Sequence, residues 1–200
     1  MTHSRTTRRI RSAGFTMVEL MVSAGILVII SSLVLVQHAR FSGNLLISNL
    51  AYDMALTLRQ AQVYGLSVRE FGTGSGEFDI GYGVHFDQAT PTSYVLFVDR
   101  DKNGLYGGST ENVEIFTLRQ GNFIRDFCAT LPSGVEKCSG SSFTTLDIVF
   151  VRPDPDAHIR SDIVGDLYES ARITVESRQG VTRTIDVVAT GQISVPQLSQ

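Results

Sequence analysis

Glu19 is the one charged residue in the apolar run FTMVELMVSAGILVIISSLVLV, residues 15–36. A carboxylate in such a span costs a few kcal/mol unless it is paired, so it is either there to meet a cation or snorkels to the interface. Cys128 and Cys138 stand ten positions apart with Pro132 and Gly134 between them. Two thiols alone cannot complete a structural zinc site, and His85 and His158 are remote from them. In an exported domain the pair reads as a disulfide closing a small loop, with two reduced, buried cysteines as the alternative. Asp99, Asp101 and Asn103 place three oxygen ligands at alternating positions before Gly104, the opening of a calcium loop. A full EF-hand loop would put a glutamate at Thr110, and the nearest acid, Glu111, comes one residue late. The competing reading is a tight, solvated turn, which Asp, Asn and Gly favour in any case. Calcium is the one cofactor these residues suggest; otherwise none is expected. The glycine-rich GTGSG, residues 72–76, lacks the Gly-Lys-Ser/Thr ending of a phosphate loop. His85 and His158 lie in no hydrolase motif, so no enzymatic activity is expected.

The elements that must carry these groups can be read from periodicity. The 22 residues of 15–36 are long enough to cross a hydrocarbon core of about 30 Å at about 1.5 Å per residue. A secretory signal would have a shorter apolar stretch followed by a small-residue cleavage site. Between Phe15 and Thr90 there is no proline, and Ile47, Leu50, Ala51, Met54, Leu58 and Ala61 recur at helical spacing. The spacing predicts one helix from Phe15 to Tyr64 or Gly65, its first half lipid-soluble and its second amphipathic, with Gly65 as the stop. Ser42-Gly43-Asn44 is its soft point. After Phe71 the period becomes 2, and strands are expected at 78–87, 93–99, 112–118, 122–128, 144–152, 169–177 and 181–188. SRQG before Val181 turns the last two into a hairpin. The fold class is therefore α+β: a long N-terminal helix packed on an antiparallel sheet, each covering the other's apolar face. The expected divisions are 1–14, 15–36, 37–66 and 67–200.

Charge narrows the function further. The first 14 residues contain Arg5, Arg8, Arg9 and Arg11 and no acid, which marks a segment that stays in the cytoplasm. Without those four arginines the chain has 13 basic and 20 acidic residues, and its formal charge moves from −3 to −7. Nucleic acid is a disfavoured partner for so acidic a body. Arg172, Arg178 and Arg183 could still form a small basic patch on the last hairpin, or a solvated sheet face.

The basic leader, Gly14, Phe15, Glu19 and the apolar stretch, SAGFTMVELMVSAGILVII, resemble the class III leader junction of type IV prepilins and pseudopilins. The resemblance implies a pilin-like fold. It also implies cleavage between Gly14 and Phe15 by a prepilin peptidase, N-methylation of Phe15, and pairing of Glu19 with the Phe15 amine of a neighbouring subunit during assembly. Glycine at 14 suits an extended chain entering a tight protease site. LRQAQVYG (58–65) and TGQISV (190–195) resemble the GspH/FimT group of minor pilins and pseudopilins. Many relatives carry a proline where this chain has Val36.

The resemblance implies a structural minor subunit of a type II secretion pseudopilus or type IV pilus. Such a subunit would sit in the inner membrane by one span with its C-terminal domain extracytoplasmic, and then in a filament. Its partners would be the peptidase, other pilin subunits, the inner-membrane assembly platform and membrane lipid. Two alternatives stand beside this: a DNA-binding minor pilin for DNA uptake, and a membrane-anchored domain that never polymerises.

Overall fold

The computed structural model describes residues 14–67 and 80–196, with the backbone alone for 36–44. The leader arginines and the GTGSG run lie outside the described residues, as does the end of the tail. The chain divides into two units, Met1–Phe41 and Ser42–Gln200.

One α-helix, α1, spans Met17–Leu66. Thr16 starts it: the Glu19 amide donates to the Thr16 hydroxyl at 3.2 Å, an N-cap bond that satisfies one of the free amides of the first turn. In the first unit, Met17–Leu35 has a mean hydropathy of 2.4 and none of it is buried, so it is long and apolar enough to cross a membrane. The pattern predicts a stop at Gly65, yet α1 continues to Leu66. A Cβ at Gly65 would collide with the Phe150 carbonyl. The residue is glycine because the helix lies against a strand backbone there, and it terminates nothing.

Among the described residues the second unit carries ten strands. They are β1 (Gly81–Asp87), β2 (Ser93–Asp99), β3 (Asn112–Thr117), β4 (Phe123–Thr130), β5 (Glu136–Cys138), β6 (Thr145–Phe150), β7 (Ala157–Ser161), β8 (Ser170–Glu176), β9 (Thr182–Val188) and β10 (Ile193–Ser194). They form two five-stranded sheets rather than one, in the orders β3-β2-β1-β6-β7 and β10-β9-β8-β4-β5. All ladders are antiparallel. The expected strands match seven of these to within a few residues. Missing from the expectation are β5, β7 and β10, which have three, five and two residues and too few alternations for a period to show.

Helix and sheets share one core. Ile47, Ala51, Met54, Leu58 and Ala61 are fully buried beside Phe86, Leu96, Ile148 and Phe150 of one sheet and Phe127, Ile173 and Val187 of the other. At about 25 cal/mol per Å² of apolar surface removed from water, each such large side chain contributes roughly 2 kcal/mol. The α+β, pilin-like architecture expected from the sequence is the one observed, with a second sheet added.

Candidate processing and assembly site

Gly14 and Phe15 precede the helix in non-helical backbone. Among the described residues nothing lies within 4 Å of where a Gly14 Cβ would be, and Phe15 is 78% exposed. A segment that is non-helical, uncovered and free of a side chain at the residue before the bond is accessible to a protease active site. Glu19 is exposed in the first turn of α1, at the end of the helix whose unpaired amides favour negative charge. With Thr16 as the cap, Glu19 occupies the third helical position, one turn from Phe15. The carboxylate thus lies in the helical turn that follows residue 15, where cleavage would generate an amine.

The other candidate residues lie in the second unit. Cys128 and Cys138 are directly opposed on β4 and β5 and joined by a disulfide, with Cα atoms 4.0 Å apart. Asp99 is buried at the end of β2, where its two carboxylate oxygens accept the Asn103 amide at 3.0 Å and the Gly104 amide at 2.9 Å. Burial raises its pKa to about 6. Asp101 is exposed and accepts the Asn103 side-chain amide at 2.7 Å. Asn103 does not turn its oxygen toward those acids: that atom accepts the Leu105 amide at 2.6 Å. Buried Glu111 takes its place, so the three carboxylates within 4.8 Å of one another are Asp99, Asp101 and Glu111. Glu111 in turn accepts the amides of Arg100, at 3.2 Å, and Gly107, at 2.6 Å. These oxygens hold the β2–β3 loop in shape, and that same donor set is hard enough for a calcium ion. Sequence spacing puts Glu111 one residue late for a calcium loop, and a 3-10 turn, Ser109–Glu111, folds it back against the end of β2.

His85 also has a partner that linear motifs do not reveal. It sits opposite Asp147 in the β1–β6 ladder, and its Nδ1 lies 2.7 Å from the Asp147 carboxylate. Both are buried, and the Tyr106 ring lies over the imidazole with centroids 4.4 Å apart. Burial pushes the Asp147 carboxyl up, and the bond from His85 opposes that shift. Covered in this way, the pair pins the β2–β3 loop to the sheet. His158 is exposed on β7 opposite Val149, away from His85 in register.

Of the three arginines of the last hairpin, Arg172 is paired with acids. Arg172 bonds Asp186 at 3.0 Å and lies 3.5 Å from Glu136, while Arg183 donates to Ser48 at 3.1 Å. Arg178 packs beside Gly121. Cross-strand pairing supplies the acids, which positions in sequence alone do not show.

The segments LRQAQVYG and TGQISV meet in space. Arg59 reaches the Ile193 carbonyl at 3.4 Å, and the Gln62 amide donates to the carbonyls of Gly191, at 3.0 Å, and Pro155, at 3.1 Å. Together they fasten the end of α1 to the last strand.

No curated protein and no solved structure matches the chain. The family model for the prokaryotic N-terminal methylation motif matches residues 9–35, a span that contains Gly14, Phe15 and Glu19. The chain therefore carries the motif of type IV pilin-like subunits, which implies processing by a prepilin peptidase and assembly with other pilins, and its apolar helix fits a membrane anchor.

Proposed function

We propose that this chain is a minor structural subunit, without enzymatic activity, of a type II secretion pseudopilus or a type IV pilus. The match to the methylation motif over residues 9–35 carries this reading. The peptidase cuts between Gly14 and Phe15 and methylates the new amine. Glu19 then pairs with the methylated Phe15 of an adjoining subunit, an ion pair that an uncut chain cannot make. In an apolar surround that pairing removes the cost of an isolated carboxylate, so cleavage licenses polymerisation. Placement in the GspH/FimT group rests on the two short segments above, whose contact gives a structural reason for them to occur together. The acid-paired Arg172 of the last hairpin favours this reading over DNA uptake.

The test is intact-mass and N-terminal peptide analysis after co-expression with a prepilin peptidase, beside a Gly14→Val control. A chain beginning at N-methyl-Phe15, absent from the control, is the expected result. An uncut chain beginning at Met1 sinks the reading.

A further inference from the structure

A groove of about 300 Å³ opens between the β2–β3 loop and the β7–β8 loop. Its apolar walls are Leu105, Ile163, Val164 and Leu167. Val164 is 99% exposed and Leu167 64%, an unusual amount of aliphatic surface for one short loop to leave in water.

The charges around the groove are not equally free. Asp166 is engaged by the Lys137 ammonium at 2.5 Å and by the Tyr168 hydroxyl at 3.0 Å. These bonds hold its carboxyl below the usual range, with the one from Lys137 first. Asp162 takes the Thr144 amide at 3.1 Å and the Thr144 hydroxyl at 2.7 Å. Asp147, opposite Arg160 in the β6–β7 ladder, is committed to His85. Arg160 is different. Its Nε is buried with no hydrogen-bond partner among the described residues. The positive φ of Gly104 (+75°) and its missing side chain make room for it: a Cβ there would lie 2.7 Å from the Arg160 Nε. Arg160 thus lines the groove beside these aliphatic side chains, while Asp166 is paired with Lys137 and Asp162 is held by Thr144.

We propose that this groove docks a peptide segment of a partner protein that pairs one carboxylate with aliphatic neighbours. Arg160 holds the carboxylate, and Val164 and Leu167 seat the aliphatic side chains. The guanidinium fork suits a planar carboxylate. The site is separate from the Phe15–Glu19 chemistry, so either can fail without the other.

The test uses the full chain in detergent with labelled Ile, Leu and Val methyls, titrated with acetyl-Leu-Asp-Leu-amide. Shifts confined to Ile163, Val164 and Leu167 are expected, saturating in the millimolar range. The neutral acetyl-Leu-Asn-Leu-amide should bind about tenfold more weakly, the worth of one charge-assisted contact. Arg160→Gln should abolish that discrimination and Arg160→Lys should keep part of it, while unchanged core methyls report that each variant is folded. Val164→Ser, at a fully exposed position, should weaken both peptides. Equal binding of the two peptides, no shift at these methyls, or a stronger response to inorganic phosphate overturns the proposal.

Discussion

The two ends of helix α1 are built from similar residues and treated differently. Along Met17–Leu35 the large apolar side chains, such as Leu20, Ile26 and Leu33, are more than half exposed. Along 45–66 an apolar stripe disappears into the core, with Ile47, Met54 and Leu58 at 0% exposure. Each end finds its apolar surroundings in a different place. The second half has two sheets to cover its stripe, and its outward side mixes polar residues with exposed Leu45, Leu56 and Val63. The first half is apolar all round, as a lipid-facing span must be. Stability and assembly should therefore separate along one helix.

The largest effect expected of that separation is on assembly. Glu19→Ala should remove incorporation into filaments almost completely while the melting temperature of the β-domain stays unchanged; pelleting of sheared filaments and a thermal scan check both. A domain that melts early in this variant would mean that Glu19 is part of the fold. Next in size is the same truncation made in each half. Leu58→Ala should cost about 2–5 kcal/mol as a core cavity, and Leu27→Ala nothing measurable in the domain's denaturation curve. Equal losses would erase the distinction.

The disulfide comes third. Reducing Cys128–Cys138 should lower domain stability by roughly 2–3 kcal/mol, read as a shift in denaturant midpoint. The glycines repeat the contrast on a smaller scale. Gly65→Ala forces the Phe150 backbone to move and should destabilise by about 1–3 kcal/mol, as overpacking does. Gly25→Ala, with nothing within 4 Å of its Cβ, should be neutral or stabilise the helix by up to about 1 kcal/mol. Denaturation curves of the two variants, run side by side, check the pair.

The smallest effect is a pH dependence. The folded pKa of Asp99, about 6, lies above its ordinary value of 3.8. The folded state therefore binds its proton more tightly than the unfolded chain does. This contribution to stability is complete below the unfolded pKa and is lost as pH rises through about 6. In chelator, the melting temperature of the wild type relative to Asp99→Asn should fall as pH rises from the unfolded value past the folded one. A rise over that window would mean that the amides of Asn103 and Gly104 outweigh burial.

Legibility in the sequence depends on whether the signal is local. The helix can be read from an unbroken apolar pattern without proline. β2 can be read from SYVLFVD, and the β8–β9 hairpin from RITVE, SRQG and TIDV, because alternation and turn residues act over a few neighbouring positions. The calcium-like spacing at Asp99, Asp101 and Asn103 is legible too, but its third member changes on folding. A turn further down the chain delivers Glu111, while Asn103 is consumed by its own loop. His85–Asp147 and Arg172–Asp186 are invisible for a related reason: antiparallel register joins residues 62 and 14 positions apart, and no local rule fixes that register.

The processing junction, the apolar span with Glu19 in its first turn, and the order of helix before strands are all written in consecutive residues. Their chemistry acts on nearest neighbours, so the chain specifies them before it folds. Tertiary structure alone decides that there are two sheets, that Gly65 is a contact rather than a stop, that Arg172 is neutralised by acids, and that Arg160 lies in a groove whose acids are otherwise engaged. Those outcomes depend on which distant strands pair and in what register. That is settled when the whole core closes, because burial rewards a complete set of long-range contacts and no single segment carries the information alone.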